Sequence, residues 1–253
     1  MKRLTLIIAS ALLMTAVWSQ ESKSGRNAGT NAEDRNFRIP LIGEKAPSFQ
    51  AESTNGTVNF PSDFGISWKI LFSHPQDFTP VCSSELLELA YLQKEFDKLG
   101  VKLLVVSTDP LDTHVQWKKA LEEIDYKGRE KAKISFPLID DKSLEISKKY
   151  GMIHSATNST RDVRGVFIID PENIVRAVYF YPMQVGRSTA ELVRTVTALK
   201  TVDRSAVLTP ADWTPGDDVV VPYLPGSKPE STAELPDGFY KLSWFMTFRK
   251  SLN

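Results

Sequence analysis

The order of apolar patterns along the chain constrains the fold more than any other feature. Short apolar runs typical of buried strands alternate with segments in which apolar residues recur every three or four positions, as on one face of a helix. The predicted strands cover residues 70–72, 101–107, 136–139, 166–169 and 174–181. A short turn joins the last two strands into a hairpin, so this order predicts an α/β fold with a mixed sheet flanked by helices.

Four helices are predicted between and after these strands. The first begins at Pro80, and the others cover 112 to about 124, 143–150 and 188 to about 200. Ser188 and Glu191 have the spacing of a capping box at the start of the last helix. The apolar positions of the second helix are Val115, Trp117, Leu121 and Ile124.

The only cysteine, Cys82, falls where a strand pattern gives way to a helix pattern. Thr79 is placed to be the N-cap, and Pro80 fits the first helical position, where a missing N–H is harmless. Cys82 then lies in the first turn, among unpaired backbone donors at the positive end of the helix dipole, which favours the thiolate over the thiol. The competing interpretation is a small buried apolar residue, which describes most lone cysteines.

The residues around Cys82 resemble the peroxidatic site of the peroxiredoxins. Pro75, Thr79 and Cys82 have the spacing Pro-x-x-x-Thr-x-x-Cys, and the run Phe-Ser-His-Pro-Gln-Asp-Phe-Thr-Pro-Val-Cys is similar to the one-cysteine, peroxiredoxin-6-like branch. The two-cysteine branch typically has proline where this chain has Ser83. The likeness continues at 136–141, 164–170, 181–187 and 208–217, and it covers the chain from about Ile42 to the C-terminus.

The resemblance implies a thioredoxin-like fold with a C-terminal peroxiredoxin extension, which periodicity alone does not distinguish from other α/β sandwiches. It implies a thiol-dependent peroxidase that reduces hydrogen peroxide and small organic hydroperoxides. Cys82 would become a sulfenic acid, which an external thiol must reduce because the chain has no second cysteine for a disulfide. The expected reductant is a thioredoxin-like protein or a low-molecular-weight thiol. No metal or other cofactor is expected, since one cysteine and three scattered histidines offer no ligand spacing.

The resemblance also assigns roles near the sulfur. Thr79 would lend its hydroxyl to the thiolate and the peroxide, Pro75 would shield the sulfur from water, and the N–H groups of Val81 and Cys82 would hold the peroxide oxygens. Arg164 matches the active-site arginine of the family, and a guanidinium that keeps its charge stabilises a thiolate and an anionic leaving group alike. The sulfur is expected at the mouth of a narrow recess with Arg164 beside it. Thr79 as a helix cap alone and Arg164 as an exposed strand-edge charge are the competing interpretations.

Three further residues are candidates for supporting roles. Arg187 matches a second arginine near the site, and Glu85, one turn after Cys82, is placed to pair with either arginine. His74 matches a histidine that lies close to the sulfur in the one-cysteine branch. A solvated helix carboxylate for Glu85 and a structural histidine at a strand end for His74 are the alternatives. His114 has no comparable context.

The amino end has the layout of a secretory signal peptide over residues 1–19. Lys2 and Arg3 precede an apolar run that is shorter than the roughly 18 to 20 residues of a membrane-spanning helix. This predicts an exported protein, periplasmic or secreted, without stable membrane insertion once the signal is removed; a retained anchor is the alternative. Residues 20–36 have almost nothing to bury and are interpreted as a flexible leader before the peroxidase domain at 37–200.

The C-terminal part, 201–253, differs from the rest of the chain in composition. It contains six of the fifteen prolines and seven aromatic residues, which predicts extended, turn-rich structure that must pack on the main domain or on a second subunit. The resemblance identifies it as the C-terminal domain of one-cysteine peroxiredoxins, which lies at their dimer interface, so a homodimer is expected. The alternative is a tail folded back on its own monomer.

Charge and context limit the other function classes. Removal of Lys2 and Arg3 with the signal peptide would leave 29 basic against 31 acidic residues, which gives no reason to expect nucleic acid or an anionic membrane as a partner. A thioredoxin-like holdase without turnover is the main alternative function. A cysteine hydrolase that uses Cys82 and His74 is the other, and it lacks a clear third group to orient the imidazole.

Overall fold

The computed structural model describes residues 38–157, 159–222 and 235–251. The predicted signal peptide (1–19) and leader (20–36) therefore lie outside the described residues. Within the described ranges, no helix combines the length and the apolar character needed to cross a bilayer.

The strands of the described residues build three sheets. In chain order they are β1 (Phe49–Ala51), β2 (Val58–Phe60), β3 (Trp68–Ser73), β4 (Val101–Ser107), β5 (Leu138–Asp140), β6 (Arg164–Ile169), β7 (Val175–Tyr181), β8 (Val219–Val220), β9 (Phe239–Ser243) and β10 (Met246–Arg249). The largest sheet has the order β5-β4-β3-β6-β7, with parallel β3–β4 and β4–β5 pairs and antiparallel β3–β6 and β6–β7 pairs. The predicted mixed sheet and its terminal hairpin are present.

The helices of the described residues are α1 (Pro80–Lys98), α2 (Leu111–Leu121), α3 (Glu145–Lys149) and α4 (Thr189–Ser205). α1 begins at Pro80, as predicted. At the start of α4 the Ser188 hydroxyl accepts a hydrogen bond from the N–H of Glu191 (3.3 Å), as predicted. α4 continues past the predicted end near 200 until Ala206, which has a left-handed conformation. α3 is shorter than predicted, because Leu144 is left-handed (φ 63°) and cannot belong to the helix.

The buried face of α2 differs from the predicted one. His114, Trp117 and Leu121 are buried, whereas Val115 and Ile124 are 51% and 40% exposed. The buried residues follow the spacing i, i+3, i+7 of a single helical face. A polar side chain, His114, therefore takes the place in the core that Val115 was expected to have.

Both faces of the large sheet are covered. One face packs against α1, α2 and α4 through a cluster that includes Phe72, Cys82, Leu86, Trp117 and Val196. The other face packs against β1, β2 and the α3 region through a cluster that includes Phe49, Phe60, Leu71, Ile146 and Tyr150. A sheet buried on both faces explains why β3 and β6 are apolar along almost their whole length.

The described residues after α4 form short strands and turns. β8, β10 and β9 form a small antiparallel sheet in that spatial order. Trp213, Val207 and Val219 pack with Ala198 of α4, so this part shares a small apolar cluster with the last helix.

Candidate active site

The pairing of two neighbouring strands, β3 and β6, brings Cys82 and Arg164 together. After β3 the chain turns through residues 74–79 into α1, whose first turn carries Cys82. β6 runs antiparallel to β3 and pairs Val166 with Phe72. Arg164, the first residue of β6, therefore lies beside the segment that follows β3. The register of the sheet thus brings the arginine to the cysteine.

The sulfur of Cys82 contacts a guanidinium and is shielded from solvent. Nη1 of Arg164 lies 3.4 Å from Sγ. Cys82 is 0% exposed and Arg164 is 2% exposed. The expectation of a sulfur at the mouth of a recess is wrong for this structure, because the side chain of Cys82 belongs to the core between α1 and the sheet. The segment around Cys82 is therefore in a closed arrangement that shields Sγ from bulk solvent.

One carboxylate joins two buried arginines next to the sulfur. Oε2 of Glu85 accepts hydrogen bonds from Nη1 of Arg164 (2.6 Å) and Nη2 of Arg187 (2.8 Å). Oε1 of Glu85 accepts from the backbone N–H (2.8 Å) and Nε (2.9 Å) of Arg187. Glu85 thus orients both arginines rather than one of them. Glu85, Arg164 and Arg187 are called the arginine cluster below.

Backbone carbonyls accept further hydrogen bonds from the two arginines of the arginine cluster. Nε and Nη2 of Arg164 donate to the carbonyl of Met183 (2.9 and 2.6 Å), and Nη1 of Arg187 donates to the carbonyl of Gly165 (2.8 Å). The Arg187 guanidinium also lies 3.3 Å from the ring centroid of Phe72. Both guanidinium planes are therefore held in one orientation.

The arginine cluster leaves one positive charge beside Sγ. Burial acts to raise the pKa of Glu85, but the hydrogen bonds and charge of Arg187, with the charge of Arg164, outweigh it and hold that pKa below its usual value. Glu85 is therefore ionised, and two guanidiniums face one carboxylate. An anionic group that binds beside Arg164 would therefore meet an uncompensated buried positive charge.

The segment before Cys82 differs in detail from the expectation. Thr79 has the predicted N-cap position but makes no capping hydrogen bond, and its hydroxyl donates to the carbonyl of Gln76 (2.9 Å). The N–H groups of Val81 and Cys82 lie at the helix start, where no intrahelical acceptor exists. Pro75 is buried.

A second buried cluster lies beside the same segment. Asp77 is bonded through Oδ1 to Nε2 of His74 (2.7 Å) and through Oδ2 to Nδ1 of His114 (2.7 Å). Nε2 of His114 lies 3.1 Å from the carbonyl oxygen of Ile139. All three side chains are at most 2% exposed. His74, Asp77 and His114 are called the histidine cluster below.

The hydrogen bond of His74 goes to Asp77 and not to the sulfur. The centroids of the His74 and Trp117 rings lie 5.0 Å apart. Nδ1 of His74 has no hydrogen-bond partner within the described part of the chain. Burial lowers the pKa of His74, against the hydrogen bond and charge of Asp77. Burial acts to raise the pKa of Asp77, but hydrogen bonds from His114 and His74 outweigh it and the pKa is lowered. The sequence analysis missed Asp77 and His114.

One group of possible metal ligands exists among the described residues near this cluster. Ligand atoms of His74, Asp77 and Asp109 lie within 4.8 Å of one another. These atoms already bond within the protein: His74 bonds Asp77, and Oδ2 of Asp109 accepts the backbone N–H of Asp77 (2.8 Å). The group therefore fits a hydrogen-bonded frame better than a cation site.

Comparison with known protein families identifies the chain. The model of the AhpC/TSA family matches residues 42–178, and the model of the C-terminal domain of 1-Cys peroxiredoxin matches residues 198–230. The chain belongs to the peroxiredoxin family. A peroxiredoxin of Methanosarcina mazei is 43% identical over 217 residues, which are 84% of this chain and 98% of that one. A 1-Cys peroxiredoxin of Dictyostelium discoideum is 37% identical over 206 residues, 81% of this chain and 83% of that one.

Solved structures give the same result for the fold. A yeast mitochondrial 1-Cys peroxiredoxin is similar with a TM-score of 0.72 and 35% identity, over 84% of this chain and 100% of that one. A cysteine-to-serine mutant of peroxiredoxin 6 from Arenicola marina is similar with a TM-score of 0.70 and 32% identity, over 84% of this chain and 99% of that one. The predicted thioredoxin-like peroxiredoxin fold with a one-cysteine C-terminal extension is confirmed. This peroxiredoxin is a thiol peroxidase with a single cysteine, and the holdase interpretation is not favoured.

Proposed function

We propose that this peroxiredoxin reduces hydrogen peroxide and small organic hydroperoxides at Cys82. The observation that carries the proposal is the 3.4 Å contact between Sγ of Cys82, the only thiol of the chain, and the buried guanidinium of Arg164. The thiolate attacks one peroxide oxygen, the S–O bond forms and the O–O bond breaks. The leaving hydroxide or alkoxide takes up a proton, and Cys82 remains as a sulfenic acid.

The residues of the site have separate roles in this step. Arg164 stabilises the thiolate and then the leaving oxygen, while Glu85 and Arg187 fix its direction. The backbone N–H groups of Val81 and Cys82 hold the peroxide. The positive charge of the arginine cluster and the free N–H groups at the start of α1 favour negative charge beside Sγ. The leaving oxygen becomes anionic at this position during the reaction.

Thr79 and Pro75 complete the peroxide pocket in this proposal. Pro75 keeps water from the sulfur. Thr79 turns its hydroxyl from the carbonyl of Gln76 toward the sulfur when the peroxide binds. The segment that carries both has a strained point at Phe78, which has a left-handed backbone (φ 55°) and is 56% exposed. Peroxide reacts in the closed arrangement, and movement of this strained segment then exposes the oxidised sulfur to the external thiol.

An external thiol completes the cycle and no bound cofactor takes part. The sulfenic acid reacts with the thiol to give a mixed disulfide and water, and a second thiol releases Cys82. The similar yeast mitochondrial 1-Cys peroxiredoxin was studied for thiol resolving through the glutathione and thioredoxin systems. A thioredoxin-like protein or a low-molecular-weight thiol therefore suits this chain.

The assembly and location of the protein are part of the proposal. The C-terminal part, 201–253, contributes to a homodimer, which its exposed Leu242 (67%) and Phe245 (49%) support. The signal-peptide layout of residues 1–19 supports export to the periplasm or the exterior. Because such compartments favour disulfides, the exported enzyme requires a dedicated reducing relay or works at low turnover.

A mass measurement on the purified protein tests the reaction. One equivalent of hydrogen peroxide should add one oxygen atom to the peptide that contains Cys82, and a suitable thiol should reverse the addition. The Cys82→Ser variant should neither gain the oxygen nor consume peroxide with thiol present. Peroxide consumption by the serine variant at the wild-type rate contradicts the proposal.

A further inference from the structure

The hydrogen-bond partners in the histidine cluster determine which ring nitrogens carry a proton. The carbonyl of Ile139 can only accept, so Nε2 of His114 carries a hydrogen. His74 donates its Nε2 hydrogen to Oδ1 of Asp77, and one further proton lies between His114 Nδ1 and Asp77 Oδ2. Nδ1 of His74 carries none, because a buried cationic imidazole with an unpaired N–H is strongly unfavourable. Asp77 therefore fixes the tautomer of His74 and the orientation of both rings.

This cluster fastens the segment that leads to Cys82 onto α2. His114 of α2 holds the carboxylate of Asp77, and the backbone N–H of Asp77 is bonded to Asp109 just after β4. Asp77 in turn holds His74, which lies directly before Pro75. The segment is thus tied to two neighbouring elements through one buried residue.

The same face of α2 also holds the first turn of α1. Trp117, one turn after His114, packs on His74 and donates from Nε1 to the hydroxyl of Ser83 (3.3 Å), the residue after Cys82. α2 therefore contacts the chain on both sides of the sulfur. Movement that exposes Sγ must separate this segment from α2.

We propose that Asp77 is a positioning residue that keeps the Cys82 segment closed in the arrangement that reacts with peroxide. The inference rests on the proposed reaction at Cys82 and adds the device that controls access to it. Loss of the Asp77 carboxylate leaves two imidazole nitrogens unpaired in the core and releases the segment. The sulfur then becomes more accessible to bulky reagents while its reaction with peroxide becomes slower, because the arrangement with Arg164 is occupied less of the time.

An asparagine at position 77 distinguishes the hydrogen bonds of Asp77 to His74 and His114, called the frame below, from the charge of its carboxylate. Its amide oxygen can accept from Nε2 of His74, and its NH₂ group can donate to Nδ1 of a neutral His114 that still donates to Ile139. Asp77→Asn therefore preserves every bond of the frame, whereas Asp77→Ala removes the two central ones. Rescue by the asparagine is expected only if the frame itself matters.

Two rates measured on the same reduced, full-length variants test the proposal. The first is single-turnover oxidation of Cys82 by hydrogen peroxide, and the second is its reaction with the bulky aromatic disulfide known as Ellman's reagent. In Asp77→Ala the first rate should fall by about tenfold to a hundredfold and the second should rise by about tenfold. Asp77→Asn should keep both within about threefold of the wild type.

Asp141→Ala is the matched control for lost stability. Asp141 is equally buried (1% exposed) and accepts hydrogen bonds from the backbone N–H groups of Ile146 and Ser147, but it caps α3 instead of touching the Cys82 segment. Wild-type rates in Asp77→Ala, or the same opposed changes in Asp141→Ala, overturn the proposal. Failure of the wild type itself to oxidise at Cys82 would instead reject the proposed reaction.

Discussion

The arginine cluster and the histidine cluster flank the same cysteine but contain different basic side chains. In the first, two guanidiniums face Glu85, and the arginine side chain is charged throughout the physiological pH range. In the second, two imidazoles share Asp77, and burial lowers the pKa of one of them, His74, from its usual value of 6.5. The difference indicates that the charge beside Sγ is constant, whereas the fastening of the segment around it depends on pH.

Removal of the carboxylate from the arginine cluster should have the largest effect. Glu85→Gln leaves two guanidiniums buried with no anionic partner, and the free energy of unfolding should fall by about 3–5 kcal/mol. Urea denaturation at pH 7 measures it. A loss below about 1 kcal/mol would show that solvent or another group compensates the arginines, and the two clusters would then differ less than the geometry indicates.

Separate substitution of the two arginines should show that one of them acts on the sulfur. Arg164→Met removes the group 3.4 Å from Sγ, and oxidation of Cys82 by peroxide should slow by about a hundredfold. Arg187→Met should mainly reduce stability and slow the same step by less than about tenfold, because Arg187 acts through Glu85. Stopped-flow oxidation with denaturation curves for both variants distinguishes the effects. Equal slowing by both substitutions would contradict separate roles.

The two clusters should lose their contributions to stability in different pH ranges. The pKa of His74 is lowered from 6.5 by burial, so the unfolded chain binds a proton below about pH 6.5 that the folded chain does not. The free energy of unfolding therefore decreases as the pH is lowered below about 6.5. The pKa of Glu85 is lowered from 4.5 despite burial, so its contribution is lost only as the pH falls below about 4.5.

Denaturation curves of the wild type and His74→Gln between pH 7 and 5.5 test this separation. In the wild type the free energy of unfolding should change with pH more steeply than in the glutamine variant. The difference in slope should be up to about 1.4 kcal/mol per pH unit, which is the contribution of one proton. Parallel curves for the two proteins would show that His74 is not responsible for pH dependence in this range.

The smallest effect is expected at Glu88, three residues after Glu85 on α1. Glu88 also has two basic partners, Arg129 and Lys127, but these partners are 37% and 61% exposed. Glu88→Gln should change the free energy of unfolding by less than about 1 kcal/mol. Measured beside Glu85→Gln, it isolates burial as the cause of the difference, and equal losses in the two variants would argue against that cause.

The fold was predictable because its signals are local. The apolar runs of β3, β4 and β6 and the helix start at Pro80 follow from residue type and spacing, and the parallel and antiparallel pairing follows from their order. The end of α4 and the length of α3 were not predictable to the residue. Those ends depend on the left-handed backbone at Ala206 and Leu144, residues that adopt it only in this tertiary context.

The site was only partly predictable for a related reason. Arg164 and His74 were identified as candidates from resemblance and Glu85 from its spacing to Cys82. The burial of Cys82 depends on how α1 packs against the sheet, which no local pattern contains. His114 was missed because Val115 looked like the better core residue. The spacing of His114 to Trp117 was the available signal, and a histidine on an apolar helix face indicates a buried polar partner elsewhere in the chain.

The single thiol also limits how much oxidant one molecule can absorb. Cys82 gives up two electrons in forming the sulfenic acid, and the chain has no second sulfhydryl to supply more. Once every copy has reacted, further detoxification proceeds only at the speed with which outside donors restore the sulfur. Under sustained peroxide exposure, the protective capacity of a cell would therefore scale with the flux of reducing equivalents rather than with the abundance of this protein.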